Sequence, residues 1–211
     1  MRNAYVFQPT RAKAREHAAN SNGEMHDAPG VVHKRFTTPR YTALLMPLLM
    51  PLRILATGGT FDKRYDPITG KLGFGESHVP AILRRARLSG DVAVQVVMLI
   101  DSLEMLDTHR QQVLDACRAA TEESIVVVHG TDTMVETAAV IAGAALDKTI
   151  VLTGAMVPFS VDDSDASFNL GAAVAYAHTL ARGVWVAMNG VARPWSDVRK
   201  NRAAGIFESL G

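Results

Sequence analysis

From residue 53 onward, short β-branched apolar runs alternate with helical patterns, and this alternation constrains the fold more than any other feature of the chain. Residues 53–56 (RILA), 92–100 (VAVQVVMLI), 125–128 (IVVV), 149–152 and 184–188 read as strands. Their apolar residues are continuous rather than alternating, so both faces of each strand are buried. Between them, 79–87, 108–120, 133–146 and 168–182 carry helical periodicity, with Thr108 as N-cap and Gln111 at the capping-box spacing. Buried strands separated by helices predict an α/β fold, a three-layer α/β/α arrangement with a mainly parallel sheet. Segment 61–75, rich in Gly, Asp and Pro, reads as a loop. In such a sheet, ligands gather outside the carboxyl ends of the strands. Those ends carry the polar and glycine-rich stretches 57–60, 101–105, 129–134, 154–156 and 189–190.

Residues 1–50 differ. They lack sustained periodicity and hold Pro9, Pro29, Pro39, Pro47, Gly23 and Gly30, which predicts a largely disordered extension, with 51–211 as the folded domain. Seven of the 22 Lys and Arg and three of the 21 acids lie in residues 1–40, leaving the remainder with 15 basic and 18 acidic residues. A nucleic-acid binder carries its basic excess on the folded body, so no nucleic-acid partner is expected. Cys117 is the single cysteine, which rules out an intrachain disulfide, and its helical setting reads as a small buried residue. The apolar stretch 43–56 is interrupted by Pro47, Pro51 and Arg53 and runs into the first core strand. It is too short for a membrane span and misplaced for a signal peptide, so the expectation is a cytoplasmic protein with no membrane partner.

Three segments carry chemistry. Thr57-Gly58-Gly59-Thr60 permits a sharp turn and close backbone approach to a ligand, and it presents a hydroxyl. Neither the dinucleotide nor the triphosphate glycine pattern is present, but a Gly-Gly turn alone is compatible with a purely structural role. A threonine hydroxyl needs a base or a charge network to act as a nucleophile. In 128–134 (VHGTDTM), Asp132 reads either as a helix N-cap or as an acid that holds a ligand ammonium, and Thr131 can relay a proton or position water. In 197–201 (DVRKN), Lys200 is a solvated loop lysine unless it reaches Asp132, where it could serve in proton transfer.

Together, ATGGTF at 56–61, HGTDTM at 129–134 and TGAMVP at 153–158 resemble the bacterial-type L-asparaginase/glutaminase family. DSLEM at 101–105, FNL at 168–170 and SDVRKN at 196–201 follow in the family's order. The resemblance covers about 53–207, the family's N-terminal domain, and is nearest to its short-chain members, which lack the C-terminal domain. It implies hydrolysis of the side-chain amide of L-asparagine, with glutamine or another amide, or an inactive amino-acid-binding module, as alternatives. Thr60 would be the nucleophile, with Tyr65 assisting its deprotonation. Thr131, Asp132 and Lys200 would form a second catalytic cluster, Asp132 also holding the substrate α-ammonium. Ser102 would bind the α-carboxylate, with Gly59, Leu103 and Ala155 lining the substrate, and the N–H groups of Thr131 and Ala155 would bind the oxyanion. The resemblance implies no metal, no cofactor, and a homo-oligomer (dimer or tetramer).

Two departures stand out. Leu103 occupies a position where the family commonly has Gln, and Leu cannot donate to a carboxylate. The acid that a neighbouring C-terminal domain often supplies in the family is not expected here, and Asp62 and Glu76 are the candidates to replace it. His129 reads as a packing residue at a strand end. The other histidines lack metal-ligand spacing.

Overall fold

The computed structural model describes residues 4–7 and 50–211. Seven strands form one sheet in the order β1-β5-β2-β6-β7-β8-β9. Its centre is parallel: β5 (Val92–Ile100), β2 (Leu52–Gly58), β6 (Ser124–Val128), β7 (Thr149–Thr153) and β8 (Gly183–Met188). Antiparallel strands close both edges, β1 (Ala4–Phe7) against β5 and β9 (Val191–Pro194) against β8. Strand β1 lies within the segment read as a largely disordered extension. The rest of 1–49 lies outside the described residues.

Both faces of the sheet are covered, as the continuous apolar strands require. Val126 and Val128 of β6 pack with α1 (Val79–Ala86) and α4 (Ala166–Thr179) through Ile82, Leu83, Leu170 and Ala173. Ile125 and Val127 pack the other way, on α2 (Asp107–Ala119) and α3 (Met134–Gly143) through Val113, Cys117, Ala138 and Ile141. Burial pushes the Cys117 thiol up to about 12, so it stays protonated inside this second cluster.

The order of strands and the faces of helices fix the hand of each connection. β2–α1–β5 runs one way across the sheet; β5–α2–β6 and β6–α3–β7 run the other way on the opposite face. These three share one hand. β7–α4–β8 runs in the direction of the α2 and α3 connections but on the α1 face, so its hand is the opposite one. Parallel crossovers are almost always right-handed, which makes the α4 connection the exception.

Three sequence expectations are corrected. Segment 61–75 is not simply a loop. It contains a turn at Thr60–Asp62 and an antiparallel hairpin, β3 (Lys63–Asp66) with β4 (Lys71–Phe74). Helix α2 begins at Asp107 with Leu106 as its N-cap residue, not at Thr108, because the His109 Nδ1 accepts the Leu106 N–H at 3.0 Å. Helix α3 ends at Gly143, three residues before the end read from its alanine pattern. A second hairpin, β10 (Arg199–Asn201) with β11 (Ile206–Glu208), anchors on the α2–α3 side through Val198 and Phe207.

Candidate active site

The connection leaving β2 goes toward β5, and the one leaving β6 goes away toward β7. The crevice between the carboxyl ends of β2 and β6 is therefore the topological switch point, where open α/β sheets place their ligands. The Gly-Gly turn and the 129–134 segment lie on its two sides.

The glycines hold these ends together. A Cβ on Gly58 would come within 2.6 Å of the Ile100 nitrogen, and one on Gly59 within 2.3 Å of the Gly130 Cα. Gly59 has φ 67° and ψ −170°, a region open essentially to glycine alone. Its N–H donates to the Ile100 carbonyl at 2.9 Å, and Thr57 Oγ1 donates to the Val128 carbonyl at 2.9 Å. The turn thus touches the end of β5 with one glycine and the end of β6 with the other.

Thr60 follows this contact and is partly buried at the start of the turn. Phe61 is fully buried beneath it and accepts at its carbonyl from the Phe159 N–H, at 3.3 Å. Asp62 is also fully buried. Its Oδ1 accepts from Ser77 Oγ at 3.0 Å and from the His78 N–H at 2.8 Å, tying the turn to the start of α1; its Oδ2 has no partner among the described residues. Burial pushes the Asp62 carboxyl up to about 6 against the pull of these two hydrogen bonds. Glu76, the other candidate acid, is exposed. Tyr65 lies on β3, 60 % exposed, and its hydroxyl makes no hydrogen bond among the described residues.

Across the crevice, Thr131 is buried and Asp132 partly so. Lys200, carried in on β10, donates to Thr131 Oγ1 at 2.7 Å and to Asp132 Oδ1 at 3.0 Å. Thr133, not Asp132, is the N-cap residue of α3, and Asp132 and Lys200 form an ion pair. Arg202 adds a second cation 3.5 Å from Asp132 Oδ1, a contact for which the sequence carries no signal.

Ser102 is buried against Gly130, where a Cβ would lie 2.5 Å from its Oγ; its carbonyl accepts from Thr133 Oγ1 at 2.8 Å. Leu103 is 64 % exposed at the rim. Beside them Asp101 receives Lys63 Nζ at 2.5 Å on Oδ2 and the Leu103 N–H at 3.0 Å on Oδ1. Partial burial pushes the Asp101 carboxyl up, but the Lys63 and Leu103 hydrogen bonds and the charges of Lys63 and Lys200 hold it below the usual range. Neither Lys63 nor Asp101 is marked as a site residue by the sequence, because 38 positions separate the partners.

Ala155 is buried at the end of β7, next to Gly154, where a Cβ would meet the His129 carbonyl at 2.3 Å. The N–H groups of Thr131 and Ala155 take no part in the hydrogen bonding of the described residues. Asp165 fixes the segment that follows, accepting from the N–H groups of Met156 and Val157 at 3.0 Å and from Asn169 Nδ2 at 2.8 Å. His129 is fully buried, between the Gly130 carbonyl on Nδ1 and Thr137 Oγ1 on Nε2, both at 2.8 Å. Burial pushes it down to about 4, so it is neutral, with Nδ1 the donor and Nε2 the acceptor. That is a packing role. Among the described residues no group of three His, Cys, Asp or Glu could hold a metal ion, and no helix is long and apolar enough to cross a membrane.

The sequence and fold find counterparts among known proteins. The chain is 34 % identical over 154 residues to a subunit of the glutamyl-tRNA(Gln) amidotransferase of Methanococcus maripaludis, covering 68 % of this chain and 36 % of that protein. It is 33 % identical over 177 residues to L-asparaginase 2 of Escherichia coli, covering 75 % and 49 %. The L-asparaginase of Thermococcus kodakarensis shares the fold with a TM-score of 0.67 at 24 % identity, covering 76 % of this chain and 51 % of that one. A probable cytoplasmic L-asparaginase of Campylobacter jejuni superposes with a TM-score of 0.64 at 28 % identity, covering 76 % and 53 %. The chain thus spans between about a third and a half of the length of these relatives. The family model described as "Asparaginase, N-terminal" matches residues 51–209, and with this agreement of sequence and fold the chain belongs to the asparaginase family.

Proposed function

We propose that the chain hydrolyses the side-chain amide of L-asparagine to L-aspartate and ammonia through an acyl-enzyme on Thr60. One observation carries the reading: the Lys200 ammonium joins Thr131 Oγ1 and Asp132 Oδ1 beside the turn that presents Thr60. An amide needs a nucleophile, a proton for the departing ammonia and donors for the oxyanion. Thr60 Oγ attacks the amide carbon and gives up its proton, with Tyr65 assisting; the C–N bond then breaks and the nitrogen leaves as ammonia, having gained one proton. Thr131 Oγ1 accepts from Lys200, which leaves its own O–H free to donate to the leaving nitrogen. The unengaged N–H groups of Thr131 and Ala155 receive the oxyanion, where preorganised donors lower the barrier most. Water then cleaves the ester and regenerates Thr60. Asp132 spends Oδ1 on Lys200 and Arg202, and its Oδ2 takes the substrate α-ammonium. Asp62, buried two residues beyond Thr60, holds the turn against α1.

Ammonia release from L-asparagine, lost in Thr60→Ala with the thermal transition retained, is the expected result. Unchanged turnover in a folded Thr60→Ala protein refutes the nucleophile. The similarity to a glutamyl-tRNA(Gln) amidotransferase component favours a second reading, in which the amide is glutamine or a larger substrate. Comparing kcat/KM for asparagine and glutamine separates the two. Asparagine binding by calorimetry with no ammonia formed would mark an inactive binding module instead. The reading includes a homo-oligomer, which light scattering tests.

A further inference from the structure

We propose that Lys63 is a specificity-determining residue that engages the α-carboxylate of the substrate beside Ser102. This rests on the amidohydrolase reading above. Lys63 opens β3 immediately after the Thr60–Asp62 turn. Its main chain is pinned, because its carbonyl accepts from Ser160 Oγ at 2.9 Å. Its side chain leaves the hairpin and crosses to the loop after β5, where Asp101 Oδ2 holds the ammonium at 2.5 Å. Asp101 immediately precedes Ser102, and its Oδ1 caps the Leu103 N–H. The cation is therefore parked at the Ser102 loop by a carboxylate whose two oxygens are both committed.

An ammonium has three N–H donors, and Asp101 uses one of Lys63's among the described residues. The Lys63 and Asp101 side chains are 23 % and 26 % exposed, open enough to meet a ligand and sheltered enough to be poorly screened. Leu103 offers no side-chain donor, and Lys63 Nζ brings a charged one to the loop that carries Ser102.

A simple strut between two loops would affect every substrate alike, and a cation that only neutralises Asp101 would become dispensable once Asp101 is neutral. The test uses Lys63→Met, Lys63→Arg and the double variant Lys63→Met/Asp101→Asn. Three amides are compared: L-asparagine, succinamate (no ammonium) and β-alaninamide (no carboxylate), the last as a competitive inhibitor where its turnover is slow. Loss of a charge-assisted hydrogen bond predicts kcat/KM about 10- to 100-fold lower for the two carboxylates, mostly in KM, in both the single Met variant and the double variant. β-Alaninamide should change by less than about twofold, and Lys63→Arg should keep part of the activity. An equal effect on all three amides, no effect, or recovery of asparagine turnover in the double variant overturns the proposal while leaving the amidohydrolase reading intact. If the wild-type protein releases ammonia from none of them, that reading fails, and L-aspartate binding by calorimetry decides for Lys63. Weaker binding in the double variant supports it; equal binding, or none to the wild type, overturns it.

Discussion

Asp62→Asn tests whether the acid beneath the Thr60–Asp62 turn is as buried as its contacts imply. In the native fold its carboxyl titrates at about 6 against 3.8 for an unperturbed group. A folded pKa above the unfolded one means the stability it contributes is complete below pH 3.8 and lost as the pH rises through about 6. A displacement of about two pH units corresponds to roughly 3 kcal/mol between the two limits. Asn keeps an acceptor for Ser77 and the His78 N–H but cannot ionise, so it removes this pH dependence. It also places an N–H group where Oδ2 has no partner, a cost of about 1–3 kcal/mol at any pH. The variant should therefore melt below the wild type at pH 4 and gain on it steadily toward pH 8. For a domain of this size, 1 kcal/mol moves Tm by about 2–4 °C, so the difference in Tm should swing by about 6–12 °C across that range. Differential scanning calorimetry in buffers of matched ionic strength measures it. A difference in Tm that stays flat from pH 4 to pH 8 would show that the Asp62 carboxyl is hydrated rather than enclosed.

The remaining predictions address the other contacts. Gly59→Ala sets a Cβ 2.3 Å from the Gly130 Cα at a backbone conformation few other residues adopt, which should cost about 2–5 kcal/mol and most of the ammonia release; Gly73→Ala, with nothing within 4 Å, should be close to neutral. Equal melting of the two variants would mean the two strand ends are not in contact. His129 titrates at about 4 when folded, so its contribution is complete above pH 6.5 and lost as the pH falls toward 4, by up to roughly 3 kcal/mol. Asp62 runs the opposite way over the same window, so urea titrations should show this loss more plainly in Asp62→Asn than in the wild type, and equal slopes would count against it. Lys200→Met should lower kcat for asparagine by about 100-fold or more, and retention of most of the rate would remove Lys200 from the proposed proton path. Asp165→Ala strands the Met156 and Val157 N–H groups and should lower stability by about 2–4 kcal/mol, which thermal melting checks.

How much of this could be read from the chain depended on the range of the interaction responsible. The buried strands declared themselves because every residue of SIVVV and TIVLT is enclosed by helices on both faces. The β3–β4 hairpin did not, because its four-residue strands are largely exposed and broken by Asp66, Pro67, Gly70 and Gly73, so no apolar period survives. The start of α2 was misplaced for a local reason, a histidine ring acting where a hydroxyl was expected. In the site, the two glycines were legible as a turn, but not which neighbours made them necessary. The partners of Lys200 lie 69 and 68 positions away and that of Lys63 38 away, distances over which spacing carries no information. Asp62 could be suspected from its place after Thr60, but only the fold shows it enclosed.

The one connection of opposite hand bears on why the crevice has its shape. A right-handed β7–α4–β8 unit would put α4 beside α2 and α3, and the chain leaving β7 would turn away from β2. With α4 on the α1 face, segment 154–165 instead passes over the end of the sheet toward the Thr60–Asp62 turn. There Phe159 donates its N–H to the Phe61 carbonyl and rests its ring 5.2 Å from that of His78, while Ser160 Oγ donates to the Lys63 carbonyl. Asp165 and Asn169, at the start of α4, hold the near end of the segment through Met156, Val157 and the Gly154 carbonyl. The backbone that presents Thr60 is thus gripped by β5 and β6 through Gly58 and Gly59, and by the unusual crossover through Phe61 and Lys63. Reversing the hand would leave the Gly-Gly contact in place but release the side of the turn that carries Lys63. The crossover of rare hand thus pins the backbone of Lys63, and Asp101 holds its ammonium at the Ser102 loop.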